Sequence, residues 1–173
     1  MNIRIILLII ILFTIPKIAF SVSDIKYLDM NLLMNKSNVG KNILDKLKSE
    51  NKTNQSNFKK KEEAFKKEES NLIKQKNVLQ KIDFEKKVLN LREKILNYNK
   101  DKSKIIANFK KKQLKAQSEL YKAINSILVK YADENSTSII LKKDSIIIGQ
   151  SNLDISQEIL DVLNTKVKNI DIN

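Results

Sequence analysis

The sequence predicts an α+β protein in which a long antiparallel helical hairpin projects from a small β body. Three observations point there. Two Gly, one Pro and 31% charged residues in a chain of 173 leave few tight turns and favour long solvated helices. Near the end, "TSIILKKDSIIIGQ" holds two short β-branched runs, Thr137 to Leu141 and Ser145 to Ile148, around the polar Lys142, Lys143 and Asp144. Both runs are nearly all apolar, which is the pattern of a strand buried on both faces. Near the start, "DIKYLDM" reads as a third strand, with Ile25 and Tyr27 on one face and Leu28 and Met30 on the other. A lone hairpin of strands is unstable in water, so the terminal runs are expected to pair. The intervening hundred residues or so must then leave the body and return.

In chain order, the first element is an export signal. Arg4 precedes an apolar run from Ile5 to Ile15, followed by Pro16 and the small residues Ala19 and Ser21. Cleavage after Ser21 is expected. The run is too short to cross a hydrocarbon core of about 30 Å comfortably. Beyond the first strand, Ser37 or Asn38 can cap a helix that departs through Gly40.

Alternating steps of three and four from Leu44 give Leu47, Asn51, Asn54, Phe58, Lys61, Phe65, Glu68, Leu72, Gln75, Leu79 and Ile82. This is a heptad seam in which polar and apolar members alternate from Phe58 onward, and it should let the helices bend and splay. A second stripe runs through Phe84, Val88, Leu91, Ile95, Tyr98, Ile105, Phe109, Ala116, Leu120, Ile124, Ile127 and Tyr131, interrupted mainly by Lys102 and Gln113. It reads as one continuous helix. Arms of equal length put the reversal near residue 86, with Asp83 as the N-cap; the polar stretch 97–104 is the rival turn. Arms of about 40 to 50 residues reach roughly 60 to 75 Å. After the second and third strands, Asp154 or Ser156 caps a last helix whose stripe is Ile155, Ile159, Val162, Leu163 and Val167. The resulting segments are 1–21 signal peptide, 22–39 strand and short helix of the body, 40–134 arm with its tip near 80–86, and 135–173 strands and helix of the body.

Charge and missing residue types narrow the function. With 33 basic and 20 acidic residues the net charge is +13, and removing Arg4 and Lys17 with the signal leaves +11. For an exported chain such charge suits anionic membrane surfaces, acidic polymers or acidic polypeptides. The absence of Cys and His removes disulfides, thiolate metal sites, the commonest general base and the commonest metal ligand. No Gly-rich phosphate loop and no paired carboxylates on a packed scaffold occur, so neither an enzyme nor a cofactor is expected. Nucleic acid is not an expected partner, because "KKKEEAFKKEE" mixes signs, Trp is absent and the signal directs the chain elsewhere.

The strand region "IKYLDMNLLMNKSNVGK", the lysine-rich hairpin and the ending "SIILKKDSIIIGQSNLDISQEILDVLN" together resemble the Skp, or OmpH-like, family of periplasmic chaperones of Gram-negative bacteria. The telling pieces are "YLDM" followed by "SNVGK", and "NLDIS" after "SIII". The resemblance implies a homotrimer with one shared β body and three helical tentacles around a cavity. It implies an ATP-independent holdase in the periplasm that shelters unfolded, commonly acidic outer-membrane β-barrel proteins. The residue pattern for lipopolysaccharide binding in relatives has no distinctive motif to carry over to this chain.

Two groups of residues are the candidate site. Lys74, Lys76, Lys81, Lys86 and Lys87 surround Ile82 and Phe84 at the tip, a surface fit for a client, an anionic membrane surface or lipopolysaccharide. Ile25, Tyr27, Leu28, Ile139, Ile140, Leu141, Ile146, Ile147 and Ile148 are the expected core of the oligomeric body, since three strands and one helix per subunit cannot cover both faces of such runs. The competing function is a structural coiled-coil tether of the cell envelope. It would call for a more regular heptad and an anchor such as a lipidated Cys.

Overall fold

The computed structural model describes residues 24–172; the expected signal peptide lies outside them. Strand β1 (Asp24–Leu28) leads into a short helix α1 (Met30–Lys36), then the long helices α2 (Asn38–Gln75) and α3 (Lys81–Glu134). Strand β2 (Thr137–Lys142), two 3-10 turns (Lys143–Ser145 and Ser151–Leu153) and helix α4 (Ser156–Lys166) complete the order. Among the described residues no helix is long and apolar enough to cross a membrane.

Local chemistry explains the junctions. Asp29 caps α1, its carboxylate accepting from Leu32 N at 2.9 Å, and Ser37 caps α2 by accepting from Gly40 N at 3.0 Å. Gly40 is needed there because a Cβ would lie 2.0 Å from the carbonyl oxygen of Met34, so only glycine lets α2 start so close to the end of α1. The chain leaves α3 through Asn135 and then Ser136, whose φ of 53° is the left-handed conformation that often ends a helix. At the head of α4 the N-cap position falls on Ile155, with no side-chain cap, rather than on Asp154 or Ser156. Asp154, one residue earlier, accepts from Ser156 N at 3.0 Å and so holds the entering turn without capping the helix.

The hairpin is shorter on its outward limb than on its return. By rise per residue, α2 spans about 57 Å and α3 about 80 Å. The reversal occupies residues 76–80, a few residues before the expected centre, and Gln80 rather than Asp83 is the N-cap of α3. Asp83 sits in the first turn, where a carboxylate favours the helix N-terminus without capping it. The displacement follows from unequal limbs: α3 runs on past the start of α2 to feed β2, so the midpoint estimate fell too late.

The body is built on a two-stranded sheet in which β1 and β2 run parallel, with Ile25 opposite Ile139 and Tyr27 opposite Leu141. Leu28, Leu33, Val39, Ile124, Ile159 and Leu163, each no more than 2% exposed, form its centre, so β1, α1, the base of both arm helices and α4 share one core. Ile155 and Leu163 of the expected stripe are buried, and Val162 and Val167 are half-buried against it.

The third expected strand, Ser145–Ile148, is not formed. Lys143–Ser145 is a 3-10 turn held by Asn31 to Asp144 (3.2 Å) and by Lys143 to Asp154 (2.7 Å). The following chain wraps Tyr27 instead: the Tyr27 hydroxyl donates to the Gln150 carbonyl at 3.1 Å, and Gly149 packs on the ring so closely that a Cβ would lie 2.8 Å from Cε1. The free edge of β1 is taken by the chain entering α4, where Ile155 N donates to the Tyr27 carbonyl at 2.9 Å. Lys142–Asp144 also lacks the glycine that would reverse the chain into a tight hairpin.

Candidate functional site

The seam between α2 and α3 is a ladder of cross-helix pairs. Glu50 meets Lys112 at 2.7 Å, Glu62 meets Lys102 at 2.7 Å, Glu68 meets Lys94 at 2.8 Å, and Gln75 accepts from Lys87 at 3.4 Å. The residue numbers in each pair rise on one helix as they fall on the other, which is the signature of a fixed antiparallel register. Each half-exposed ion pair is worth at most about 1 kcal/mol, so the set specifies register more than it adds stability.

One rung is reinforced. The Tyr98 hydroxyl reaches Glu62 at 2.9 Å and the Phe58 carbonyl at 3.3 Å. Its ring makes edge contacts with Phe58 and Phe65 at centroid distances of 6.5 and 5.4 Å, and the Lys102 ammonium lies 5.2 Å from the Phe58 ring centre. Hydrogen bonds from Lys102 and then Tyr98 hold the Glu62 carboxyl below its ordinary pKa. The bond to Glu62 raises Lys102. Burial and then the neighbouring Glu62 raise the Tyr98 phenol. The cluster is a clamp at mid-arm. Phe58 and Leu72 are buried as the heptad reading requires, but Lys61 faces solvent and Glu62 takes its place in the seam.

On the opposite side of α3 lies an apolar stripe that the seam leaves open. Ile82, Leu89 and Leu96 recur at intervals of seven and are 77%, 62% and 68% exposed. Leu114, five turns beyond Leu96, is 57% exposed. Each of the first three stands nine residues, two and a half turns, from a seam member: Leu91, Tyr98 and Ile105 respectively. Lys86, Glu93 and Lys100 follow at i+4 and are exposed.

The tip residues divide between these two faces. Ile82 points out with the stripe, whereas Phe84 is half-buried in the seam. Lys74, Lys76, Lys81, Lys86 and Lys87 are all exposed; Lys86 and Lys87 line an open hollow between the helices with Leu72, Leu79 and Asp83.

The body candidates divide as well. Tyr27 and Leu28 are buried, and Ile140 packs half-buried against the core. Ile25, Ile139 and Leu141 lie exposed on the outer sheet face, Ile146 is half-buried near Gly149 and Tyr27, and Ile147 and Ile148 are 104% and 92% exposed. Within one chain, therefore, the outer sheet face is covered at Tyr27 by the 149–150 segment and left open at Ile25, Ile139 and Leu141.

With this architecture in place, the model of the family described as Outer membrane protein (OmpH-like) matches residues 24–163. The chain belongs to the OmpH-like family. A solved structure from Caulobacter crescentus CB15, provisionally described as an outer membrane chaperone (OmpH-like), shares the fold with a TM-score of 0.80 at 16% identity, covering 87% of this chain and 89% of that one. No curated protein matches the sequence.

Sequence reasoning about this OmpH-like arm missed the outer stripe, because a single heptad seam was traced along each helix and a second apolar row on the same helix was not sought. The period-seven recurrence of Ile82, Leu89 and Leu96 was the available signal. The clamp was missed for a different reason: Lys102 reads as a break in an apolar stripe until the facing Glu62 is known.

Proposed function

We propose that the protein is an ATP-independent holdase of the Gram-negative periplasm, assembled as a homotrimer, that shelters unfolded outer-membrane β-barrel proteins between its arms and delivers them for assembly. Family membership supports a chaperone role and an envelope location. The observation that carries the mechanism is the open stripe Ile82, Leu89, Leu96 and Leu114 set among lysines on an arm tens of ångströms long. Isolated apolar side chains offer a client many weak contacts and no continuous core to fold onto. Several arms acting at once raise the effective concentration of those contacts. The positive charge adds attraction to acidic clients.

Assembly follows from the body. The outer sheet face with Ile25, Ile139 and Leu141, together with Ile147 and Ile148, is covered by equivalent surfaces of the other copies, and the arms are thereby fixed around a common axis. The test is the turbidity of a urea-denatured acidic outer-membrane β-barrel protein diluted into buffer without nucleotide. A holdase suppresses aggregation near equimolar trimer, and Leu89→Ser with Leu96→Ser weakens that suppression. A parent protein that leaves aggregation unchanged is a tether, not a holdase.

A further inference from the structure

The open row on α3 has a period that an irregular client chain does not call for. Ile82, Leu89 and Leu96 recur at an interval of seven, the repeat by which parallel helices supercoil about one another. Glu85 and Arg92 flank the row on one side, three residues after Ile82 and Leu89, and Lys86 and Glu93 flank it on the other, four residues after. All four are exposed, and none belongs to the ion-pair ladder of the seam. When two such helices lie side by side, in the same direction and at the same height, each flank of one faces the opposite flank of the other. Glu85 then meets the partner's Lys86, and Arg92 meets the partner's Glu93, so every close charge faces its opposite. The row also lies on the side of α3 that borders the open sheet face. Asn125 and Ala132 stand 36 residues, ten whole turns, from Leu89 and Leu96, and with Val129 they line a hollow beside Ile139 and Leu141. A copy seated on that part of the body stands on the same side as the row, and a cyclic axis along the arms sets the tips at equal height.

We propose that the tip rows of neighbouring copies dock on one another when no client is held, in parallel and in register, with Ile82, Leu89 and Leu96 forming three apolar layers, and that an incoming client separates them. The inference rests on the cyclic-assembly and holdase readings and adds a closed resting state to them. Three layers make a short zipper, and residues 74–100 carry eight basic against three acidic side chains, so repulsion between the arms keeps the contact weak. Close opposite charges persist at physiological salt, where like charges more than about 8 Å apart are screened. Weak docking suits a gate: the side chains that hold the arms together are the ones given up to the client. Until then the closed arms cover apolar surface that would otherwise invite unwanted association.

The test uses the full mature protein, which has no cysteine of its own, carrying Ile82→Cys, Leu89→Cys or Leu96→Cys singly. Asn90→Cys, exposed on another side of the same turn, measures random collision. Under mild oxidation at physiological salt each row variant is expected to link two chains severalfold faster than Asn90→Cys, at a rate independent of protein concentration and with the sedimenting mass of the parent. Adding Glu85→Lys with Glu93→Lys to Leu89→Cys should slow linking severalfold. Adding Lys86→Glu and Arg92→Glu as well restores the pairs at the parent's net charge and should recover it, with helix content unchanged throughout. A urea-denatured acidic barrel protein should slow linking, and the oxidised Leu89→Cys protein should suppress aggregation of that client less than the reduced form does. Linking at Leu89 alone, with Ile82→Cys joining Leu96→Cys only when the two are mixed, marks antiparallel contact between assemblies and overturns the proposal. So does row linking no faster than at Asn90, or an oxidised protein that captures client as well as the reduced one. A trimer that suppresses aggregation but gives either result leaves the two earlier readings standing; a parent that sediments as a single chain overturns the assembly reading together with this one.

Discussion

Replacing Tyr98 with Ala should open the arm without disturbing the body. Tyr98 is 9% exposed and touches Phe58, Phe65, Glu62 and Lys102. Loss of a buried aromatic side chain costs about 3 to 5 kcal/mol in a closed core. Here the ring borders an open hollow shared with Lys61, Ala64 and Asn97, so the lower end, about 3 kcal/mol, applies. About 1 kcal/mol of it belongs to the hydroxyl, and Tyr98→Phe should show that part alone. Phe58, Leu72, Leu91 and Tyr98 are buried but lie outside the body cluster of Leu28, Leu33, Ile124 and Ile159, so the two regions should open independently. Native-state hydrogen exchange reads this directly: amides in 58–72 and 91–105 should lose protection by about two decades, at 1.4 kcal/mol per decade. Those of Leu33, Ile124 and Leu163 should hold. Equal loss in both regions would show that arm and body form one cooperative core and would refute the separation drawn here.

Reversing Lys74, Lys76, Lys81, Lys86 and Lys87 to Glu takes residues 22–173 from +11 to +1 at exposed positions, where such substitutions rarely cost much stability. Association with an acidic unfolded client should slow and its salt dependence flatten, with an unchanged melting temperature; an unaltered rate at low salt would leave client capture to apolar contacts alone. Burial by itself would raise the pKa of Asp154, but hydrogen bonds from Lys143 and Ser156 outweigh it and hold the carboxyl below its ordinary value of 3.8. Its contribution to stability is therefore present above about pH 4 and lost as pH falls through the lowered folded value. Melting followed from pH 6 to pH 3 should fall more steeply for the parent than for Asp154→Asn. Gly40→Ala forces a Cβ to within 2.0 Å of the Met34 carbonyl oxygen and should lower the melting temperature, through a strain of about 1 to 3 kcal/mol.

Much of the fold was legible because it rests on local patterns. The stripe from Phe84 to Tyr131 is carried by one 54-residue helix, and the Ser37 cap and the Gly40 departure stand where short-range chemistry put them. What the sequence hid is long-range. Whether "SIII" becomes a strand depends on what lies beside it, and in a single chain Tyr27 and its hold on Gln150 draw the segment away from the sheet. The apolar character of Ile147 and Ile148 was readable; among the described residues nothing covers them. The turn at residues 76–80 has no glycine or proline to announce it, so only the pairing of Glu68 with Lys94 and Gln75 with Lys87 across the arm fixes where the chain reverses. The tip candidates suffered from the same limit, since a sequence cannot say that Ile82 and Phe84, two residues apart, face opposite ways until the partner helix is in place.

The exposed isoleucines offer the sharpest test of the view that the body is completed by other copies of the chain. Ile147→Asp with Ile148→Asp alters two side chains that one chain leaves in solvent, so the subunit fold should survive, whereas two buried charges without partners would break an interface. Sedimentation equilibrium of the mature protein should give three times the chain mass for the parent and a single, still helical chain for the variant. A parent that sediments as a monomer, or a variant that stays trimeric with unchanged melting, would contradict it.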